Sequence, residues 1–174
     1  MHNVEYKAEL RDMGLARTVC RSLKATWIAD LTQIDTYYRI PSGRLKKREC
    51  PGEPTEFIFY DRSNRLRPKL SHFTIYTESQ ARERFGIEPL PVWLTVRKVR
   101  TLYMLGNIRI HLDEVESLGR FLELEAFVSR DHTLAHCHDA VAKLIETLRP
   151  VLGEAIDCSY SDMLAREQAE RAVG

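Results

Sequence analysis

Long apolar runs are missing: nothing in the 174 residues approaches the roughly 18 that a membrane helix needs. The opening MHNVEYKAEL carries charges where an export signal would be apolar, so a cytoplasmic location is expected and no membrane partner. Excess charge of either sign is also missing. Lys plus Arg number 26 against 25 Asp plus Glu, which argues against a nucleic-acid partner and leaves only a local basic site open. With 8 Gly, 7 Pro and 44% apolar residues, the chain is neither low-complexity nor disordered. Cys20, Cys50, Cys137 and Cys158 are scattered and form no CxxC, so they read as free thiols rather than a disulfide or zinc framework. In His136-Cys137-His138, adjacent residues of a helical stretch point in different directions and make a poor ligand set. There is no GxxxxGK[ST] loop and no Ser-His-Asp arrangement. What remains is a soluble single domain, large enough to bury a core.

Alternation with period two is what the chain has in quantity. Asn3, Glu5, Lys7 and Glu9 alternate with Val4, Tyr6, Ala8 and Leu10. Further strands are expected over 43–48, 57–62, 71–76, 92–103, 107–113 and 121–128, with Arg65-Leu66-Arg67-Pro68-Lys69 as a loop or hairpin connection. Helices are fewer. Leu15, Val19, Leu23 and Trp27 at i,i+4 spacing predict one over about 12–29. Others are expected at 79–85, 132–147 and 161–171. The class is α+β, and the sheet could be open with helices on one face or closed into a barrel.

Charge separates by strand. Arg44, Lys46 and Arg48 share one strand face, Lys98 and Arg100 another, and Glu123 and Glu125 a third, with Asp113 near the end of the preceding strand. Like charges two apart repel unless something of opposite sign lies against them. The other face of 121–128 is wholly apolar and needs helices to cover it. The charged faces then turn inward and hold water, metal ions and a polyanion. Solvated charges on an open sheet are the alternative. Converging Arg and Lys suit a chain of phosphates, and neighbouring carboxylates suit Mg²⁺ or Mn²⁺. Together they describe phosphoryl chemistry.

Asn3-Val4-Glu5-Tyr6-Lys7 resembles the N-terminal ExExK signature of the CYTH superfamily, the triphosphate tunnel metalloenzymes. The resemblance continues through Gln33–Tyr38, Gly43–Glu49, Phe59–Arg62, Pro68–Ser71 and Val96–Arg100. It is strongest over Asn107–Asp113 and Val115–Glu125, and closest to sequences named as class IV adenylate cyclases and thiamine triphosphatases. It implies one CYTH-like domain over 1–174, helical from about 131, with an eight-stranded antiparallel closed β-barrel around a triphosphate tunnel. It further implies Glu5, Lys7 and Asp113 as catalytic residues. Lys7, Arg44, Lys46, Lys98, Arg100 and Arg109 would bind the triphosphate, and Glu5, Glu123 and Glu125 would hold Mg²⁺ or Mn²⁺.

Asn3 departs from the signature, offering a neutral oxygen where a carboxylate is expected. Trp27 and Trp93 read as packing residues. His111, on the face of Arg109 and Asp113, reads as a hydrogen-bonded structural histidine or a base. The implied activity is metal-dependent hydrolysis of a small triphosphate: inorganic triphosphate, thiamine triphosphate or a nucleoside triphosphate. An adenylate cyclase making cyclic AMP and pyrophosphate is the alternative, and a non-catalytic polyphosphate or nucleotide binder a second. Oligomeric state is left open.

Overall fold

The computed structural model describes residues 1–61, 68–86 and 88–174. The expected connection at Arg65-Leu66-Arg67 lies outside them. The strands are β1 (His2–Leu10), β2 (Thr26–Tyr38), β3 (Arg44–Glu49), β4 (Glu56–Asp61), β5 (Lys69–Tyr76), β6 (Val92–Leu105), β7 (Ile108–Val115), β8 (Gly119–Phe127) and β9 (Leu152–Ala155). The helices are α1 (Met13–Ser22), α2 (Glu78–Phe85), α3 (Leu134–Leu148) and α4 (Tyr160–Val173).

The eight-stranded closed barrel expected from the sequence is corrected by the pairing. The described strands form one nine-stranded antiparallel sheet, ordered β5-β4-β3-β2-β6-β7-β8-β1-β9. It curls until β1 also meets β5, but only from His2↔His72 to Glu5↔Lys69. Farther along, the same side of β1 turns to β9 through Ala8↔Ala155 and Leu10↔Leu152. The Ile156 N–H donates to the Lys7 carbonyl at 2.9 Å, so the C-terminal segment takes backbone groups that a closing β5 would need. The ends of the sheet thus meet along part of β1 alone, and β9 remains as an edge. The architecture is a strongly curled nine-stranded sheet with surrounding helices, not a barrel closed along its length.

A second correction concerns residues 12–29. Asp12 caps α1 by accepting the Leu15 N–H at 2.9 Å, but the helix stops at Ser22. Lys24 adopts φ 59°, a left-handed conformation that a helix cannot continue through. The apolar spacing runs on to Trp27, yet Trp27 lies in β2, paired with Tyr103 of β6. β-Branched and aromatic residues and a long partner strand outweigh helical periodicity there. Between β6 and β7 the chain reverses over Gly106 and Asn107, since Leu105 and Ile108 are paired. Gly106 has φ 57°, the sign a two-residue hairpin needs.

The sheet's convex face is apolar. Val4, Ile110, Leu112, Leu122 and Leu124 are fully buried in one cluster with Ala16 and Cys20 of α1 and Val141 and Leu148 of α3. Cys137 belongs to this cluster, its thiol donating to the Phe127 carbonyl at 3.4 Å, which gives it a packing role in the helix. A second cluster joins Tyr160 and Leu164 of α4 to Tyr37, Tyr60, Val96 and Phe121 on the concave side, so α4 caps that side of the sheet. With core and helices outside, the concave face is free to carry charge.

Leu148→Ala is expected to destabilise the protein by about 2–5 kcal/mol, because that side chain is wholly buried between α3 and the sheet. Leu134→Ala, on an exposed side chain of α3, should stay within about 0.5 kcal/mol. Urea denaturation of both variants checks the difference.

Candidate functional site

The inward residues follow from register. Asn3, Glu5 and Lys7 alternate along β1 and lie opposite Phe127, Glu125 and Glu123 of β8. Arg109, His111 and Asp113 of β7 oppose Glu125, Glu123 and Phe121. Asp35 pairs with Arg48 of β3, and Tyr37 with Lys46. Arg100 of β6 pairs with Asp113. Gly43 has φ 76°, and a Cβ there would come within 2.8 Å of the Phe59 ring. That turn into β3, leading directly to Arg44, therefore requires glycine.

These strands enclose a cavity of about 150 Å³. Of the residues expected in the site, Glu5, Lys7, Lys46, Lys98, Arg100, Arg109, Glu123 and Glu125 line it. Arg44 and Asp113 do not. The Arg44 guanidinium turns to Asp162 of α4 at 3.1 Å and to the Trp93 ring at 5.3 Å. Arg48, left out of the expected set, takes the inner place on β3 and lines the cavity instead. Asp113 is fully buried behind the cavity wall. It accepts from Arg100 Nε and Nη2, both at 2.8 Å, and from the Tyr160 hydroxyl at 2.7 Å.

Asp35 is a fully buried carboxylate on a strand face that carries no run of like charge to mark it. It accepts from Arg48 Nε at 2.8 Å and Nη2 at 2.7 Å, and from Lys98 Nζ at 2.8 Å, while Lys46 Nζ lies at 3.2 Å. Burial alone would raise this carboxyl, but Arg48, Lys46 and Lys98 together hold it well below its ordinary value. One carboxylate cannot balance three cations. Burial, with Arg48, Arg100 and Lys46 as like-charged neighbours, brings the Lys98 ammonium down to about 7 against the pull of Asp35. A phosphate placed among these cations would relieve that repulsion.

Opposite the cations lies an acidic group. Ligand atoms of His111, Glu123 and Glu125 stand within 4.8 Å of one another, a cluster able to coordinate a divalent metal. Burial, Glu123 and Glu5 push the Glu125 carboxyl up to about 8. Burial and the Arg100 charge hold His111 well below its usual range and leave a neutral imidazole. A carboxyl crowded by two others and a neutral ring nitrogen are the donor set that a cation stabilises, so the residues fit a divalent ion. Lys7 bridges the two halves: Nζ lies 3.6 Å from Glu123 Oε2, donates to the Cys158 carbonyl at 3.2 Å, and sits 4.0 Å from the centre of the Tyr160 ring.

The fold and site together define a curled antiparallel sheet with a buried basic–acidic network on its concave face and a His/Glu cluster at one side. The CYTH domain family matches residues 1–157, and the chain belongs to that family. A search of curated protein sequences finds no match. Among solved structures, a candidate adenylate cyclase from Vibrio parahaemolyticus superposes with TM-score 0.75 at 18% identity, over 95% of this chain and 98% of that one. The PH1012 protein of Pyrococcus horikoshii gives 0.73 at 18% identity, over 92% and 98%. A Hippeastrum candidate adenylyl cyclase with a dominant triphosphatase activity gives 0.60 at 13% identity, over 96% of each chain. At these identities the likeness is one of fold. No helix among the described residues is long and apolar enough to cross a membrane.

Asp35→Asn should destabilise the fold by about 3–5 kcal/mol, since it strands Arg48, Lys98 and Lys46 without their shared buried partner. Denaturant melts read this directly. Divalent-ion affinity should rise with pH, by up to about tenfold per unit, and level off above about 8, because the ion displaces a proton from Glu125. Calorimetric Mn²⁺ titrations across pH check the slope, and Glu125→Gln should flatten it.

Proposed function

We propose that the protein is a divalent-ion-dependent phosphohydrolase acting on a small triphosphate. One observation carries the reading: lysines and arginines anchored by the buried Asp35 and Asp113 face an acidic cluster across the same cavity. Lys46, Arg48, Lys98 and Arg100 are fixed before substrate arrives, so binding a polyanion spends little on ordering them. Arg109, at the same cavity wall, adds a further contact to the chain of phosphates.

In this reading Glu5, Glu123 and Glu125 hold Mg²⁺ or Mn²⁺. Bound there, the ion would supply positive charge that offsets the triphosphate's negative charge and makes phosphorus more electrophilic. Glu5 orients the attacking water and takes its proton as the new P–O bond forms and the phosphoanhydride bond breaks. Lys7, held by Glu123 and the Cys158 carbonyl, offsets charge on the departing phosphate. Asp113, buried outside the cavity lining, acts in this reading by positioning Arg100. The triphosphatase activity of the Hippeastrum structure supports the hydrolytic choice by likeness of fold. Tyr60 and Phe73 also line the cavity, and a nucleoside base could stack there, which is the observation favouring a cyclase as the second reading.

The test offers ATP, inorganic triphosphate and thiamine triphosphate, each with Mg²⁺ and with Mn²⁺, and resolves the products. Orthophosphate release is the expected result. Cyclic AMP with pyrophosphate would replace hydrolase by cyclase, and binding without turnover would leave only a binder. Lys46→Ala is the cleanest probe of the grip, because Arg48 and Lys98 still pair Asp35 when it is gone. It should weaken triphosphate binding roughly 10- to 100-fold, the loss of one charge-assisted contact. Lys47→Ala, whose ammonium pairs with Glu49 on the opposite strand face at 3.2 Å, should change binding little by calorimetry.

A further inference from the structure

Two buried polar atoms at the site make no hydrogen bond: Nδ1 of His111 and Oδ1 of Asn3. His111 is 3% exposed and Asn3 1%. A buried imidazole held for structure alone normally gives its ring N–H to a carboxylate or carbonyl. Here Nδ1 lies 3.7 Å from Glu125 Oε1, too far for a hydrogen bond. The distance suits another relation. Two donors on one ion, each about 2.1 Å from it, stand roughly 3–4 Å apart. Register puts His111 directly across from Glu123, so the ring sits beside both carboxylates that would share the ion. Asn3 adds an uncharged oxygen on the strand face of Glu5, and its open Oδ1 belongs to a residue lining the same cavity.

We propose that His111 is a direct nitrogen ligand of the ion held by Glu123 and Glu125, and that it makes the site select Mn²⁺ over Mg²⁺. The inference rests on the metal-dependent reading above. Mg²⁺ is a hard ion that wants oxygen at short distances and gives up its water reluctantly, whereas the larger Mn²⁺ exchanges its water more readily and tolerates a nitrogen among its oxygen ligands better than Mg²⁺ does. A nitrogen added to these carboxylates therefore penalises Mg²⁺ more than Mn²⁺. The His111–Glu123–Glu125 grouping is rigid, with two members on hydrogen-bonded neighbouring strands and the third two residues along, so a nitrogen cannot easily be left out when the ion binds.

Pulsed electron paramagnetic resonance on the full chain loaded with Mn²⁺ tests this without reference to turnover. The wild-type echo should carry modulation from a coordinated ¹⁴N nucleus, and selective ¹⁵N labelling of histidine should change it. His111→Asn should abolish the modulation, lower Mn²⁺ affinity by roughly tenfold or more, and leave Mg²⁺ affinity unchanged or up to about threefold higher. Mn²⁺ bound tightly with no nitrogen modulation would overturn the ligand role while leaving the metal-dependent reading intact. Modulation persisting in the variant would assign it to another histidine and overturn the role equally. Failure of wild-type protein to bind Mn²⁺ at all would overturn both readings. A wild-type spectrum without nitrogen modulation overturns the role whether or not the variant folds, and if His111→Asn does not fold, the longer His111→Gln supplies the comparison.

Discussion

One buried carboxylate holds the basic half of this site together. Asp35 is fully buried and bound by Arg48, Lys98 and Lys46, which come from two strands on either side of its own. Moving such charges out of water costs more than ordinary packing returns, unless the partners are close and well aligned. The bidentate Arg48 contact supplies the alignment, and Lys98 at 2.8 Å supplies the second charge. Asp113 repeats the device two strands further on with Arg100 and Tyr160. Both carboxylates lie behind the cations they fix, so the cations face the cavity already oriented.

The network is affordable because stability comes from elsewhere. α1 and α3 cover the convex face, where leucines, isoleucines and valines of β1, β7 and β8 meet them. The concave face can then hold a charged network whose pairing does little more than offset the cost of its own burial. The C-terminal segment bridges the two functions. Ile156 completes the hydrogen bonding of β1, the Cys158 carbonyl and the Tyr160 ring hold Lys7, and Leu164 packs with the aromatic residues of the cavity. The segment that interrupts closure of the sheet is the same one that furnishes part of the cavity's wall.

Most strands were legible because period-two alternation survives wherever one face is apolar and the other charged. β1, β3, β6, β7 and β8 all show it, and they carry most of the residues that meet in the cavity. β2 was not legible by that route. Its start continues the apolar spacing of α1, and its inward residues Gln33, Asp35 and Tyr37 differ too much in character to show as a charged face. Asp35 was hidden with it, although Gln33, Asp35 and Tyr37 at alternate positions were the signal that could have found it. Arg44 and Arg48 have the same parity, so alternation could not tell which of them reaches the cavity. That depended on Asp162, 118 residues from Arg44.

The sequence alone determined the class, the alternation of charged and apolar faces, and the CYTH relationship, because each is written in residue types at short spacing. Tertiary structure alone decided how far the sheet curls, since β1 can pair with β5 or β9 on one side but not with both at the same residues. It also decided which carboxylates face the cavity and which are spent as anchors. Asp113 and Glu123 are alike in pattern, each buried on an inward strand face. Arg100 and Tyr160 close over one, while the other remains at the cavity wall. That distinction lies in which charged group comes nearest in space, and residue spacing along a strand does not carry it.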